Sequence, residues 1–147
     1  MEIIPATLRD LVSLRRIKQV CFPKDAWPLI DLIAVLSYPD VIRLKAVEDG
    51  QMVGFIAGDL RRTESLGWIA TVGILPGYRR RGYGRLLLLE CERRMNTSRF
   101  RLCVRKENIE AIHLYETEGY SITDTWNKYY SDGGDALDME KYKNWQG

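Results

Sequence analysis

Arginines and glycines are concentrated in one short segment of this 147-residue chain, residues 75–85. The segment reads Leu-Pro-Gly-Tyr-Arg-Arg-Arg-Gly-Tyr-Gly-Arg, between an apolar stretch, residues 67–75, and an amphipathic stretch, residues 84–95. This order predicts a strand, a tight turn and a helix start, whose unpaired N–H groups and dipole favour an anion. Gly82 and Gly84 let the backbone approach a ligand closely, and the arginines supply positive charge. The sequence therefore predicts a phosphate or pyrophosphate site.

The spacing of the glycines argues against two common nucleotide-binding loops. A Walker A loop requires a wider glycine spacing followed by Lys and Ser or Thr, and the segment has neither. A dinucleotide fingerprint requires a third glycine three residues after Gly84, where Leu87 stands. The ligand is therefore expected to be a different phosphate-bearing molecule.

The residues instead match the pattern Arg/Gln-x-x-Gly-x-Gly/Ala, which begins here at Arg79 and follows Pro76. This pattern resembles the coenzyme A loop of the GNAT superfamily of N-acetyltransferases. A second block is similar to the later motif of the superfamily, in which a short strand precedes an Asn-x-x-Ala-x-x-x-Tyr helix. Its matching residues are Asn108, Ala111 and Tyr115. The two motifs occur in the order expected for the superfamily.

The resemblance implies that acetyl-CoA is the cofactor and that its acetyl group passes directly to an amine in a ternary complex. It places backbone groups of Val72, Gly73 and Ile74 against the pantetheine and the thioester carbonyl, and Asn108 against the pantetheine arm. The residues implied to hold the pyrophosphate are Arg79, Arg80, Arg81, Gly82, Tyr83, Gly84 and Arg85.

Tyr115 falls at the tyrosine of the superfamily motif, so the resemblance implies that it contacts the cofactor and is the general acid. A phenol with a pKa of about 10 keeps its proton at neutral pH and can protonate a departing thiolate, whose pKa is about 8.5. Without the resemblance, packing against Tyr120 is the simpler interpretation. His113, the only histidine, lies about 200° from Tyr115 around a helix and is expected at the surface.

The general base is left unassigned. In RimI-like protein N-terminal acetyltransferases the middle residue of strand 102–104 is typically glutamate, or histidine in relatives, whereas this chain has Cys103. Because a buried thiol is usually inert, a water molecule relayed by backbone carbonyls or by Tyr129 or Tyr130 is favoured over Cys103. A weak base favours an α-amine over a lysine, whose amine needs about 3 kcal/mol more to lose its proton at neutral pH.

Two segments resemble the acceptor side of RimI-like enzymes. Residues 127–139 are similar to the closing Tyr-Tyr, Asp-Gly, Asp-Ala and Met pattern, which forms a hairpin over the amine entrance in that family. Residues 22–28 correspond in position to the loop on the other side of the substrate. The implied acceptor residues are Phe22, Trp27, Tyr129 and Tyr130, with aromatic packing as the alternative for both segments.

These motifs predict an N-acetyltransferase that acts on a protein or peptide N-terminal α-amine. Acetylation of a small-molecule amine, such as a polyamine or aminoglycoside, is the alternative, although the acidic residues are scattered. Because Cys103 stands at the position of the general base, a catalytically inactive protein that senses acyl-CoA is also left open. A nucleic-acid patch at the arginine-rich segment is not expected, because stacking platforms and a broad basic face are lacking.

Composition narrows the class of protein further. The length favours a single domain over residues 1–147, and a net charge of +2 favours a small anionic ligand over a long polyanion. Three cysteines without a Cys-x-x-Cys pair indicate neither a disulfide framework nor a zinc site, and no bound metal is expected. No signal peptide or long apolar run is present, so we expect a cytoplasmic protein without a membrane segment, as a monomer or homodimer.

Periodicity and turn residues predict the elements that position these motifs. Thr7 with Asp10 is expected to cap the first helix, Asn108 to cap the last helix, and residues 48–51 to form a hairpin turn. The expected strands are 2–5, 41–47, 52–60, 66–75, 100–104, 120–130 and 136–142, and the expected helices are 7–20, 29–37, 84–95 and 108–118. The first helix is expected to bury Leu8, Leu11, Val12, Leu14 or Arg15, Ile17 and Val20. The fold class is α+β, GNAT-like, with a mixed, mostly antiparallel sheet of about six or seven strands and helices on both faces.

Overall fold

A computed structural model describes residues 1–25 and 27–143. The strands are β1 (Glu2–Pro5), β2 (Val41–Glu48), β3 (Gln51–Arg61), β4 (Leu66–Ile74), β5 (Arg99–Arg105), β6 (Ser121–Trp126) and β7 (Ala136–Tyr142). The helices are α1 (Leu11–Cys21), α2 (Leu29–Ser37), α3 (Tyr83–Met95) and α4 (Ile109–Thr117). Most predicted boundaries are confirmed to within two residues, and the last four residues of the predicted domain lie outside the described part of the chain.

The strands form one seven-stranded sheet in the order β1-β2-β3-β4-β5-β7-β6. All neighbouring pairs are antiparallel except β4 and β5, which run parallel. This parallel pairing joins only Leu66–Ile69 to Arg99–Leu102. Beyond Ile69, β4 is no longer paired with β5. One edge of β4 is therefore free of strand pairing at the middle of the sheet.

Helices cover both faces of the sheet, as predicted. Leu87 and Leu88 of α3 pack on one face with Phe100 of β5 in the larger core. Leu14 of α1 packs on the other face with Phe55 of β3 in the smaller core. The sheet is therefore buried on both sides where β3 and β4 cross its centre.

The predicted buried face of the first helix is partly wrong. Thr7 and Asp10 form the predicted capping box, but they cap a short 3-10 turn, and α1 begins only at Leu11. Val12 is 82% exposed, and Leu8 and Val20 are also exposed. The buried residues are Leu14, Ile17 and Lys18, because spacings of three and four place them on one side of the helix. Lys18 thus occupies a position that hydrophobic patterning assigns to an apolar residue.

The last hairpin is also shorter than predicted. β6 ends at Trp126, and Lys128 then adopts a positive φ of 52°. The Asp135 carboxylate accepts a hydrogen bond from the Lys128 N–H at 2.9 Å. This contact closes a loop that carries Tyr129 and Tyr130 out of the strand.

Candidate active site

A cleft of about 550 Å³ lies between the end of β4, the start of α3 and one side of α4. It brings together both sequence motifs, although they are far apart along the chain. The predicted residues that line it are Phe22, Val72, Gly73, Ile74, Arg79, Arg80, Gly82, Tyr83, Gly84, Arg85, Asn108 and Tyr115. Cys21 and Tyr78 also line the cleft and were not predicted.

The turn before α3 has the geometry of an anion site. Gly82 has a φ of +80° and precedes α3, and a Cβ built on it would meet no atom within 4 Å. The first hydrogen bond into the helix runs from the Leu86 N–H to the Gly82 carbonyl at 3.1 Å. Helix geometry leaves the preceding N–H groups without intrahelical partners. The open space and these donors fit the pyrophosphate of coenzyme A.

Gly84 lines the cleft and also permits close packing between helices. A Cβ at this position would meet the Leu114 side chain at 3.3 Å, tighter than ordinary contact. The glycine therefore lets α3 approach α4 at the point where each helix contributes to the cleft.

Three of the arginines already have partners within the protein. Arg79 Nε donates to the Ile74 carbonyl at 2.9 Å, and Arg81 Nη1 lies 3.2 Å from a Glu48 carboxylate oxygen. Arg85 pairs with Glu118. The Arg81 side chain turns toward β2 and does not line the cleft, whereas Arg80 is exposed with a positive φ of 63°. The positive charge predicted for the segment is present, but much of it is held by neighbouring groups.

Asn108 and Tyr115 reach the cleft from α4. The Asn108 side chain accepts a hydrogen bond from the Ala111 N–H at 3.2 Å, which confirms the predicted helix cap. The Tyr115 ring packs edge-on against Tyr120 with centroids 5.9 Å apart. Burial raises the pKa of Tyr115 well above its ordinary value, and nearby Tyr130 adds to this shift. Tyr115 is therefore a neutral phenol over the whole physiological range.

His113 is exposed, as predicted, and contributes only to the rim of the cleft. Because it lies on the same short helix as Tyr115 but two positions earlier, its side chain leaves the helix in another direction.

The face of the sheet that carries α1 holds the residues predicted for the acceptor side. Cys103 lies on this face, because Leu102 and Val104 point into the larger core. Burial raises the pKa of the Cys103 thiol, and the neighbouring Asp138 carboxylate adds to the shift. Burial likewise raises the pKa of Tyr130 to about 12. Both groups therefore keep their protons at neutral pH.

Arg105 links the two loops that flank this face. Its Nε and Nη2 atoms donate to the two Asp25 carboxylate oxygens at 2.6 and 2.7 Å. Its Nη1 atom donates to Asp132 at 3.1 Å, and its guanidinium lies 4.1 Å from the centroid of the Tyr130 ring. The segment after α1 and the hairpin after β6 are thus joined through one side chain of β5.

The other predicted acceptor residues lie outside the cleft lining. Trp27 packs over the Lys18 ammonium with a centroid distance of 3.6 Å. Tyr129 is 56% exposed and packs edge-on against Tyr130 at 5.1 Å. The contacts of Trp27, Tyr129 and Tyr130 are therefore those of aromatic packing, the alternative interpretation. The three side chains surround the acceptor face but do not line the cofactor cleft.

Lys18 is the site-adjacent residue that sequence reasoning missed. Its side chain is buried, with 3% of the residue exposed, and its Nζ donates to Thr71 Oγ1 at 2.6 Å. The one available signal was its position one turn before Cys21, in phase with Leu14 and Ile17. A charged lysine is expected at the surface by default, and this expectation outweighed the helical phase of the position.

The diverging strands, the glycine-arginine turn and the buried phenol together define a transferase that uses an acyl-coenzyme A. The chain belongs to the acetyltransferase (GNAT) family, whose sequence profile matches residues 11–120. This confirms the resemblance seen in the sequence. Solved structures with the same fold hold coenzyme A or acetyl-CoA, and acetyl-CoA is the cofactor of the family.

Individual relatives support the same assignment. The chain is 31% identical over 143 residues to the N-terminal acetyltransferase A complex catalytic subunit NAA10 of Arabidopsis thaliana, with 92% of this chain and 74% of that protein covered. It is 31% identical over 120 residues to the N-alpha-acetyltransferase RimI of Mycobacterium tuberculosis, with 80% and 76% covered. The ribosomal-protein-S18-alanine N-acetyltransferase of Escherichia coli shares the fold, with a TM-score of 0.88 at 23% identity over 99% of this chain and 96% of that one.

Two further observations concern the described residues alone. Within residues 1–25 and 27–143, no helix is long and apolar enough to cross a membrane. The same part of the chain contains no cluster of three or more His, Cys, Asp or Glu side chains placed to hold a metal ion.

Proposed function

We propose that this protein transfers the acetyl group of acetyl-CoA to the α-amine of a protein or peptide N-terminus in the cytoplasm. The observation that carries the proposal is the free edge of β4 beyond Ile69, where the cofactor cleft meets the acceptor face. The gap between β4 and β5 lets an amine approach the thioester from the acceptor face while the cofactor lies along the edge of β4. The relatives named N-terminal acetyltransferase and N-alpha-acetyltransferase support the same substrate class.

The residues of the cleft fit the cofactor from end to end. In this proposal the N–H groups around Gly82 hold the pyrophosphate, and the backbone of residues 72–74 holds the pantetheine and the thioester carbonyl. Asn108 lies beside the pantetheine arm. The cofactor supplies an activated acetyl group, and Tyr115 donates its phenolic proton to the sulfur that leaves.

The acceptor face favours a peptide over a polycationic amine. A polyamine or aminoglycoside requires free carboxylates, but the acidic residues on this face are already paired. Asp25 and Asp132 pair with Arg105, and Asp138 pairs with Arg101. The aromatic side chains around the face, Phe22, Trp27, Tyr129 and Tyr130, suit the apolar parts of a peptide instead.

A labelling experiment tests the proposal. Radiolabelled acetyl-CoA is offered to a peptide with a free N-terminus and no lysine, and to a matched peptide with a blocked N-terminus and one lysine. We expect label on the first peptide and little on the second, because the lysine amine costs about 3 kcal/mol more to deprotonate at neutral pH. Faster labelling of the lysine peptide, or of spermidine, would refute the proposed substrate class. Binding of acetyl-CoA without any labelling would identify a silent sensor.

A further inference from the structure

Lys18 is a buried lysine beside the acceptor side of the cleft. Its Nζ lies between two aromatic rings, 3.6 Å from the Trp27 centroid and 5.0 Å from the Phe22 centroid. In the described part of the chain, its hydrogen-bond partner is Thr71 and no carboxylate oxygen lies within 4 Å. Burying an ammonium without a counter-ion is costly, so lysines are rarely found in such a position.

Thr71 holds this lysine on the face of β4 that leads to the cleft. It lies on β4 two residues before Gly73, so both positions face α1. A Cβ on Gly73 would lie 3.1 Å from the Phe22 ring, which shows how closely this face meets the segment after α1. Phe22 and Gly73 both line the cleft. The contact between Lys18 and Thr71 therefore lies on the same face of β4 as Gly73, which lines the cleft two residues further along the strand.

The surroundings of Lys18 favour its neutral form. Burial lowers the pKa of Lys18 from its ordinary value of 10.5 to about 7, against smaller opposing effects of the Cys21 thiol and the Asp25 carboxylate. Asp25 is itself held by Arg105. β4 contributes the uncharged Thr71, and the other elements of this layer contribute apolar side chains, including Leu32 of α2 and Phe55 of β3. At neutral pH a large fraction of Lys18 therefore carries a free lone pair.

Two other titratable groups on this face, Cys103 and Tyr130, are poorly suited to accept a proton. Cys103 and Tyr130 keep their own protons at neutral pH, because burial raises the pKa of each. Both carboxylate oxygens of Asp25 accept hydrogen bonds from Arg105. Asp138 is paired with Arg101 through Oδ2, and its buried Oδ1 has no hydrogen-bond partner in the described part of the chain. When Lys18 is neutral, its Nζ lone pair can accept the hydrogen of the Thr71 hydroxyl across the same 2.6 Å contact.

We infer that Lys18 accepts, through the Thr71 hydroxyl, the proton that the acceptor ammonium must lose before it can react. This inference rests on the proposed function. The ammonium N–H bond breaks and its proton passes to Thr71 Oγ1, while the hydroxyl proton of Thr71 passes to the Lys18 Nζ. The freed nitrogen lone pair forms the N–C bond, the C–S bond breaks, and the sulfur takes the Tyr115 proton. The second proton lost by the nitrogen restores the Tyr115 phenol, and Lys18 releases its proton to solvent.

The dependence of kcat on pH tests the inference with a saturating peptide that has a free N-terminus. The variants are Lys18→Met, Thr71→Val, and Thr71→Ser, which keeps the hydroxyl. We expect wild-type kcat to rise through pH 7, with Thr71→Ser following it. Lys18→Met and Thr71→Val should lose about tenfold at pH 6.5, with the rise moved to about pH 8, the pKa of the α-amine itself. At pH 9 the difference from wild type should be small.

The outcomes separate this inference from the proposed function. If wild-type protein acetylates no peptide, the proposed function fails and the inference fails with it. If wild-type protein acetylates the peptide but Lys18→Met changes kcat equally at every pH, the inference alone fails. An NMR titration of the lysine side chains of the free protein gives a readout that needs no turnover, with the Lys18 signal assigned by its loss in Lys18→Arg. A Lys18 signal that titrates above pH 9 would also overturn the inference.

Discussion

Replacing Lys18 with methionine should stabilise this protein, and the gain should depend on pH. Methionine has a similar length and no charge, so Lys18→Met removes the buried ammonium and keeps the packing between Trp27 and Phe22. The pKa of Lys18 is lowered from 10.5 to about 7 in the folded protein. Each pKa unit corresponds to about 1.4 kcal/mol, so the charged form costs about 5 kcal/mol to bury.

The direction of this pH dependence follows from proton binding by the folded and unfolded states. Between pH 7 and pH 10.5 the unfolded chain binds more protons at Lys18 than the folded chain does, so wild-type stability rises with pH at this position. Below pH 7 both states are protonated and the full cost is present. The ring contacts and the Thr71 hydrogen bond offset part of it, by about 2 kcal/mol. We therefore expect Lys18→Met to gain about 2–3 kcal/mol at pH 6, and the gain to fall by a similar amount by pH 9.5.

Urea denaturation of wild type and variant at pH 6 and pH 9.5 measures this difference. A gain of this size at pH 6 corresponds to about 5–10 °C in Tm for a domain of this length. The matched control is Lys106→Met, which replaces an exposed lysine and should change the free energy of unfolding by less than about 0.5 kcal/mol at either pH. An equal effect of Lys18→Met at both pH values would refute the reasoning, because it would show that Lys18 is not desolvated in the folded state.

Three further predictions concern the cofactor cleft and the sheet. Tyr115→Phe should keep the ring contact and the affinity for coenzyme A in calorimetry, but should lower kcat by about 100-fold or more, because the phenolic proton is lost. Gly82→Ala should cost about 1–2 kcal/mol in urea denaturation, since its φ is +80°. Arg101→Met should cost about 2–4 kcal/mol by the same measurement, because Asp138, 2% exposed, loses its ion-pair partner.

Each of these predictions has its own control. Unchanged kcat in Tyr115→Phe would remove the proposed general acid. Gly77 has equally open space and no positive φ, so Gly77→Ala should be nearly neutral, and equal losses at Gly77 and Gly82 would contradict the backbone argument. The double change Arg101→Met with Asp138→Leu should recover most of the loss, and a loss that is simply additive would show that the two side chains do not interact.

Some features of the site could be predicted because they depend on local chemistry. The strand, glycine turn and helix around Gly82 follow from residue types that specify backbone conformation directly. The Asn108 cap and the hairpin turn at Asp49 and Gly50 are local in the same sense, and the structure confirms both. A motif whose residue types specify its backbone geometry can be predicted without knowledge of the tertiary structure.

Other features of the site depend on which elements pack against each other in the folded protein. The spacing of Arg81 does not show that Glu48, on a distant strand, holds its side chain away from the cleft. Likewise, Arg105 joins two loops only because β5 lies between the segment after α1 and the hairpin after β6. Ion pairs between residues far apart in the chain carry no local signal, so sequence reasoning could name the residues but not their partners.

The sequence by itself determined the order of the elements, the anion-binding turn and the family, because each of these depends on local residue patterns. Only the tertiary structure decided which side of α1 is buried, since helical periodicity leaves that choice to packing against the sheet. It also decided where β4 and β5 separate, because that depends on pairing across the whole sheet. Lys18 belongs to this second group: its charge suggests solvent, but its neighbours enclose it.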